Sequence, residues 1–132
     1  EVAKKLTAQA GIETRRAHRV ARTEITTALR RAKWDEASDA EQDYGLQTKE
    51  LHLSALSPTT RATHAARHGK LFTRDQVQDW WSQNGNSVNC KCTTVSVMVD
   101  EDGKPVVPSI IQRAQQAKTN MEKRGYAWSD TE

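Results

Sequence analysis

The sequence predicts an α+β domain: a long N-terminal amphipathic helix, short helices packed on a small antiparallel sheet, and a C-terminal helix. Three observations carry this expectation. Alanines recur at helical spacing through the first 34 residues. Thr93-Thr94-Val95-Ser96-Val97-Met98-Val99 is rich in β-branched residues and is the best strand in the chain. Asp100-Glu101-Asp102-Gly103 then reads as a hairpin-type turn into a short return over residues 105–107. At 132 residues the chain is one domain with room for an extended arm. It divides into a helical region (1–34), a core (35–108) and a C-terminal helix with a tail (109–132).

In the first region Ala17, Ala21, Ile25, Ala28 and Ala32, with Val20 and Leu29 at the margins, mark one helix face. Gly11 is expected to separate a short leading helix from the long one. Arg15, Arg19, Arg22, Arg30 and Lys33 fall in a sector of roughly 80°, broadly opposite the apolar face. Such a stripe suits phosphate or an acidic partner, and equally a solvated face beside Glu13 and Glu24. An alanine-rich face buries little area but allows close approach of another helix, including one from another chain.

Residues 35–45 are acidic and aperiodic, a linker or weak helix ended by Gly45. In Leu46-Gln47-Thr48-Lys49-Glu50-Leu51-His52-Leu53 the two later leucines alternate with polar residues, as in a half-buried strand. His52 then points away from the leucines and reads as a surface histidine. Ser57-Pro58-Thr59-Thr60 opens a short helix over residues 60–67, capped by Ser57 or Thr59 and closed by Gly69. It would align Arg61, His64 and His68 on one face. A second short helix over residues 75–81, capped by Thr73, buries Val77 and Trp80 or Trp81. Asn84-Gly85-Asn86 marks a turn. Pro108-Ser109 opens the last helix, over residues 110–124, which Gly125 stops; Tyr126 and Trp128 are candidate anchors of the tail.

Composition narrows the function classes. With one Phe, two Tyr and four Trp the core is small, so a partner or a metal is expected to contribute stability. No apolar run approaches the roughly 20 residues of a membrane span, and no secretory h-region is present. The chain begins at Glu1, as an excised domain or processed product would. A net charge of +3 permits nucleic-acid contact without arguing for it.

Chemistry concentrates between Leu56 and Cys92. Cys90 and Cys92, if extended, point to one side of the strand, because side chains alternate with period two. A disulfide between them would close a strained ring. Facing His64 and His68, they would complete a tetrahedral zinc site. The bland alternative is a packed or capping histidine with two small buried thiols. A cysteine nucleophile activated by His64, with Arg67 or Lys91 beside it, has no orienting third residue. A metal-independent ribonuclease would use His64 and His68 as acid and base, with Arg61 and Lys70 on the phosphate.

Taken in order, Ala21-Arg22-Thr23-Glu24, a strand ending at Leu56, Thr60-Arg61-Ala62-Thr63-His64, His68-Gly69 and Asn89-Cys90-Lys91-Cys92 resemble the phage Mu F-like family of minor head proteins. The resemblance runs roughly from Ala21 to Thr94. Many members have an Asp where this chain has Ser57 or Pro58, a His-Pro stretch before the cysteines, and Arg where Lys91 stands. Some carry Cys-x-x-Cys where this chain has Arg61 and His64. A Cys/His exchange suits a zinc ligand, so the resemblance implies a metal on His64, Cys90 and Cys92, with His68 as fourth ligand. Arg61 cannot ligate.

The resemblance further implies a structural, non-catalytic virion protein of the phage head, assembled in the bacterial cytoplasm. Its expected partners are the portal or other head proteins, with DNA touched during packaging or delivery, and no membrane. The basic stripe would suit a portal or DNA contact. Such domains also occur fused to toxins, which keeps an effector-associated domain or nuclease as the alternative.

Overall fold

The computed structural model describes residues 2–88 and 90–130. Asn89 of the cysteine motif and the last two residues of the expected tail lie outside the described residues. In chain order the elements are α1 (Val2–Tyr44), β1 (Thr48–Leu53), α2 (Ala62–Ala65), β2 (Leu71–Phe72), α3 (Arg74–Trp81), β3 (Thr93–Met98), α4 (Ser109–Glu122) and a closing 3-10 turn (Ala127–Asp130). The sheet is antiparallel in the order β2-β1-β3. The α+β architecture is the expected one.

Helix α1 corrects three expectations. It runs unbroken for 43 residues, through Gly11 and through the supposed acidic linker, so the boundary expected after Trp34 falls inside it. Glycine costs a helix only about 1 kcal/mol, which a chain of alanines and long polar residues absorbs. Its C-terminal part is held by packing: Trp34 and Ala37 are buried, and Glu41 pairs with Arg74 at the start of α3. Gly45, at φ 67°, ends it by donating its N–H to the Glu41 carbonyl.

The third correction concerns its faces. Thr23, Thr26, Thr27, Arg30, Trp34 and Ala37 lie against the body, whereas Ala17, Ala21, Ile25, Ala28 and Ala32 are exposed. Ile25 and Leu29 are each 61 % exposed. The alanine face points outward and the sector carrying Arg19 and Arg30 points inward, the reverse of an ordinary amphipathic helix. From residue 2 to residue 22 only Gly11 is even half-buried, so this half of α1 is an arm.

The sheet separates two small cores. Leu51 and Val97 face α4, packing with Ala114, Ile111, Leu53 and Leu71. The other face carries Glu50, His52, Phe72 and Thr94 and is covered by Trp34 of α1 and by Trp80 and Trp81 of α3. His52 does point away from the leucines, but that face is closed: it is fully buried against both indoles, not a surface histidine.

Helix α3 begins as expected, with a Thr73–Gln76 capping box. Helix α2 is shorter than expected and starts at Arg61, which makes no side-chain cap. Ser57 caps nothing; instead Ser57, Thr59 and Thr60 join their hydroxyls in a turn ahead of the helix. After β3, Asp100 Oδ1 accepts from the backbone of Asp102 and Lys104, and Val99 bridges to Pro105, closing the expected hairpin. Trp128 anchors the tail, packing on Leu56 and Ala65 and donating to the Ser57 carbonyl at 2.8 Å.

Candidate metal centre

Cys90 and Cys92 lie just ahead of β3, two residues apart, and their sulfurs converge on one side. The Cys92 N–H points at Cys90 Sγ, 3.3 Å away. Opposite them, the single turn of α2 delivers His64. Its Nδ1 lies 3.3 Å from Cys90 Sγ and 3.5 Å from Cys92 Sγ. All three residues are buried, with their donor atoms within 4.8 Å of one another.

This spacing is the one a tetrahedral metal demands. With metal–sulfur bonds of about 2.3 Å and a metal–nitrogen bond of about 2.0 Å, a sulfur–nitrogen edge of a tetrahedron is about 3.5 Å. The residues present fit a thiophilic ion, and the cluster could hold one. The electrostatics agree. A hydrogen bond from Cys92 holds the Cys90 thiol well below the usual range, while the same bond and burial push Cys92 up. A cation on both sulfurs would displace their protons. Burial lowers the His64 pKa, keeping the imidazole neutral as a ligand must be.

Surrounding residues fix the ligands. Trp80 stands edge-on to His64 with ring centroids 4.7 Å apart. Asn86, itself buried, donates to the Trp80 carbonyl at 2.8 Å and adjoins His64. Arg30 reaches from α1 to donate from Nη2 to the Cys92 carbonyl at 2.8 Å, its guanidinium 4.0 Å above Trp81. Arg67 lies over Phe72 and Trp80. In the sequence Arg67 reads as a cation beside the cysteines and Asn86 only as part of a turn, while Arg30 reads as a surface cation and its contact with Cys92 leaves no signal there.

The structure sets His68 apart from the other three. Its Nδ1 accepts from Ser54 N–H at 3.0 Å and its Nε2 donates to the Ala114 carbonyl at 2.8 Å, so both ring nitrogens are used. The same bonds direct both of its ring nitrogens away from His64. Lys70 is exposed. Arg61 donates to the carbonyls of Gly85 and Val88, clasping the turn before the cysteines to α2.

The basic stripe divides. Arg15, Arg19 and Arg22 are exposed, and Lys33 reaches Thr93 Oγ1 at 3.5 Å. Arg30, only 4 % exposed, is withdrawn from any surface contact. Arg19 also lines a cavity of about 380 Å³ into which His64, Cys90 and Cys92 all face.

Among known proteins, the family model described as phage Mu protein F like protein matches residues 1–95, from α1 through the cysteine pair into β3. No curated protein and no solved structure matches the chain. Among the described residues no helix is long and apolar enough to cross a membrane.

Proposed function

The chain belongs to the phage Mu protein F-like family, and on that premise we propose that it is a structural component of the phage head acting in head morphogenesis. It docks on the portal or on another head protein and takes part in DNA packaging or delivery. Under this reading it is a virion component assembled in the bacterial cytoplasm. The observation that carries the proposal is the family match over α1 and the centre of the domain; the arm supports it, because a helix exposed on every side for some 20 residues suits a protein that is completed by a neighbour.

The outward alanine face of α1 is the docking surface, and Arg15, Arg19 and Arg22 are the cations available to a portal carboxylate or to DNA phosphate. The metal is zinc, held by His64, Cys90 and Cys92 with a fourth ligand from solvent. Its part is structural: it ties α2 to the start of β3 across a core that has little apolar area.

The test is capture of this chain by the cognate portal protein, read by native mass spectrometry. A complex whose subunit carries the mass of one zinc, lost in Cys92→Ser, is the expected result. Failure to bind portal or any other head protein would overturn the head-protein reading, and a metal-free mass would overturn the zinc assignment.

A further inference from the structure

The three ligands do not close the site. His64, Cys90 and Cys92 share the wall of one cavity, and the other residues that line it are of two kinds. Arg19, Arg61 and Lys91 bring positive charge; Ser54, Ser57 and Thr60 bring hydroxyls. No Asp or Glu lines it.

A divalent ion on two thiolates and a neutral imidazole is a neutral centre. The cations lining the cavity are then uncompensated: none of Arg19, Arg61 or Lys91 forms a salt bridge among the described residues. Arg61 is positioned without being neutralised. Two of its N–H groups go to the Gly85 and Val88 carbonyls, which fixes the guanidinium and leaves other donors of its five free. Arg19 comes from three turns before Arg30 on the inward face of α1, so the same helix that clamps the cysteine segment also puts a cation on the cavity wall. A neutral water at the open coordination position would leave this charge unanswered.

We propose that the open position of the metal centre takes an oxygen of a phosphate group, with Arg19, Arg61 and Lys91 holding the remaining charge. The cavity exceeds what a single phosphate fills, so the group can belong to a phosphate ester as well as to the free ion. This inference rests on the metal reading above and gives that site a ligand. It makes the centre a binding site as well as a structural clasp.

The experiment uses the whole chain loaded with Co²⁺ in place of zinc. The thiolate-to-cobalt charge-transfer band reports the metal on Cys90 and Cys92, and the visible d–d bands report the fourth ligand. Inorganic phosphate and, separately, a short single-stranded DNA oligonucleotide are titrated in. The expected result is a saturable change in the d–d bands with the charge-transfer band retained. The double variant Arg19→Gln with Lys91→Gln, both exposed positions, should weaken the response by roughly tenfold or more.

A response to phosphate alone identifies a free ion or small ester as the ligand. A stronger response to the oligonucleotide identifies a nucleic-acid backbone. Bands indifferent to both overturn the proposal. So does a response equal in wild type and double variant, because the basic rim would then have no part in it. Absence of the charge-transfer band would sink the metal reading itself, an outcome distinct from an unresponsive but loaded centre.

Discussion

Arg30 and Cys92, 62 positions apart, are joined by a 2.8 Å hydrogen bond from the guanidinium to the backbone carbonyl. That bond is the junction between α1 and the cysteine segment, and the ring of Trp81 beneath the guanidinium completes it. Arg30→Ala should therefore lower stability in denaturant titration by about 2–4 kcal/mol, since it removes a buried charged donor and its packing. Arg22→Ala, an exposed change on the same helix, should stay within about 0.5 kcal/mol. Equal effects would show that Arg30 does not serve as the clamp.

The proposed metal ligands and His68 separate by mutation. His64→Ala, Cys90→Ser and Cys92→Ser should each abolish the one-zinc mass increment expected in native mass spectrometry. His68→Ala should keep it, yet unfold more easily by about 1–3 kcal/mol, because Ser54 N–H loses its partner and the Ala114 carbonyl keeps only its helical bond. Zinc at 1,000 times its dissociation constant should raise wild-type stability by about 4 kcal/mol, and a chelator should reverse the gain. Loss of zinc in His68→Ala with the fold intact would restore that residue to the ligand set.

His52 makes stability depend on pH. Burial, and then the nearby charge of Arg67, push its pKa down to about 3. The folded state keeps the ring neutral while the unfolded chain protonates it at its ordinary value near 6.5. Between these values the unfolded chain binds more protons, so the contribution is fully present above pH 6.5 and is lost as the pH falls towards 3. The slope from this one group is about 1.4 kcal/mol per pH unit. Burial also lowers the pKa of His64 and His68, and both add in the same direction. In metal-free protein, His52→Phe should remove about one proton from the acid slope. It should also leave stability at pH 7 undiminished, because neither ring nitrogen has a hydrogen-bond partner. An unchanged slope would mean that His52 is protonated in the fold.

What was legible in the chain follows the range of each signal. The Thr73 cap of α3, the β-branched run of β3 and the stop at Gly45 are local, and each appears where the sequence puts it. The Cys-x-Cys spacing reported a convergent pair because alternation along an extended chain is also local. His68 was misplaced because α2 is four residues long, and the turns after it carry His68 off the face of His64 to Ser54 and Ala114. For His52 the alternation gave the face correctly, but only Trp80 and Trp81, some 30 residues onward, decide that this face is closed. Helix α1 inverts for the same reason. Alanine carries little drive for burial, whereas Trp34 and Arg30 find partners at Thr94, Trp81 and Cys92 that no window of the helix contains.

That inversion yields the last prediction. If the alanine face is the docking surface, charge placed on it should harm assembly and spare the fold. In Ala21→Glu with Ala28→Glu both new carboxylates stand on an exposed face two turns apart, and Glu costs little helix propensity relative to Ala. Thermal and denaturant stability should change by less than about 1 kcal/mol. Capture by the head-protein partner should fall at least about tenfold, because each carboxylate would be buried there without a counter-charge. Thr26→Glu, on the inward face of the same helix, should do the opposite: it crowds a charge against the body and lowers stability whether or not a partner is present. Undiminished capture by the double variant would move the docking surface off this face. A sharp loss of stability in it would show that the alanines already pack within the isolated chain.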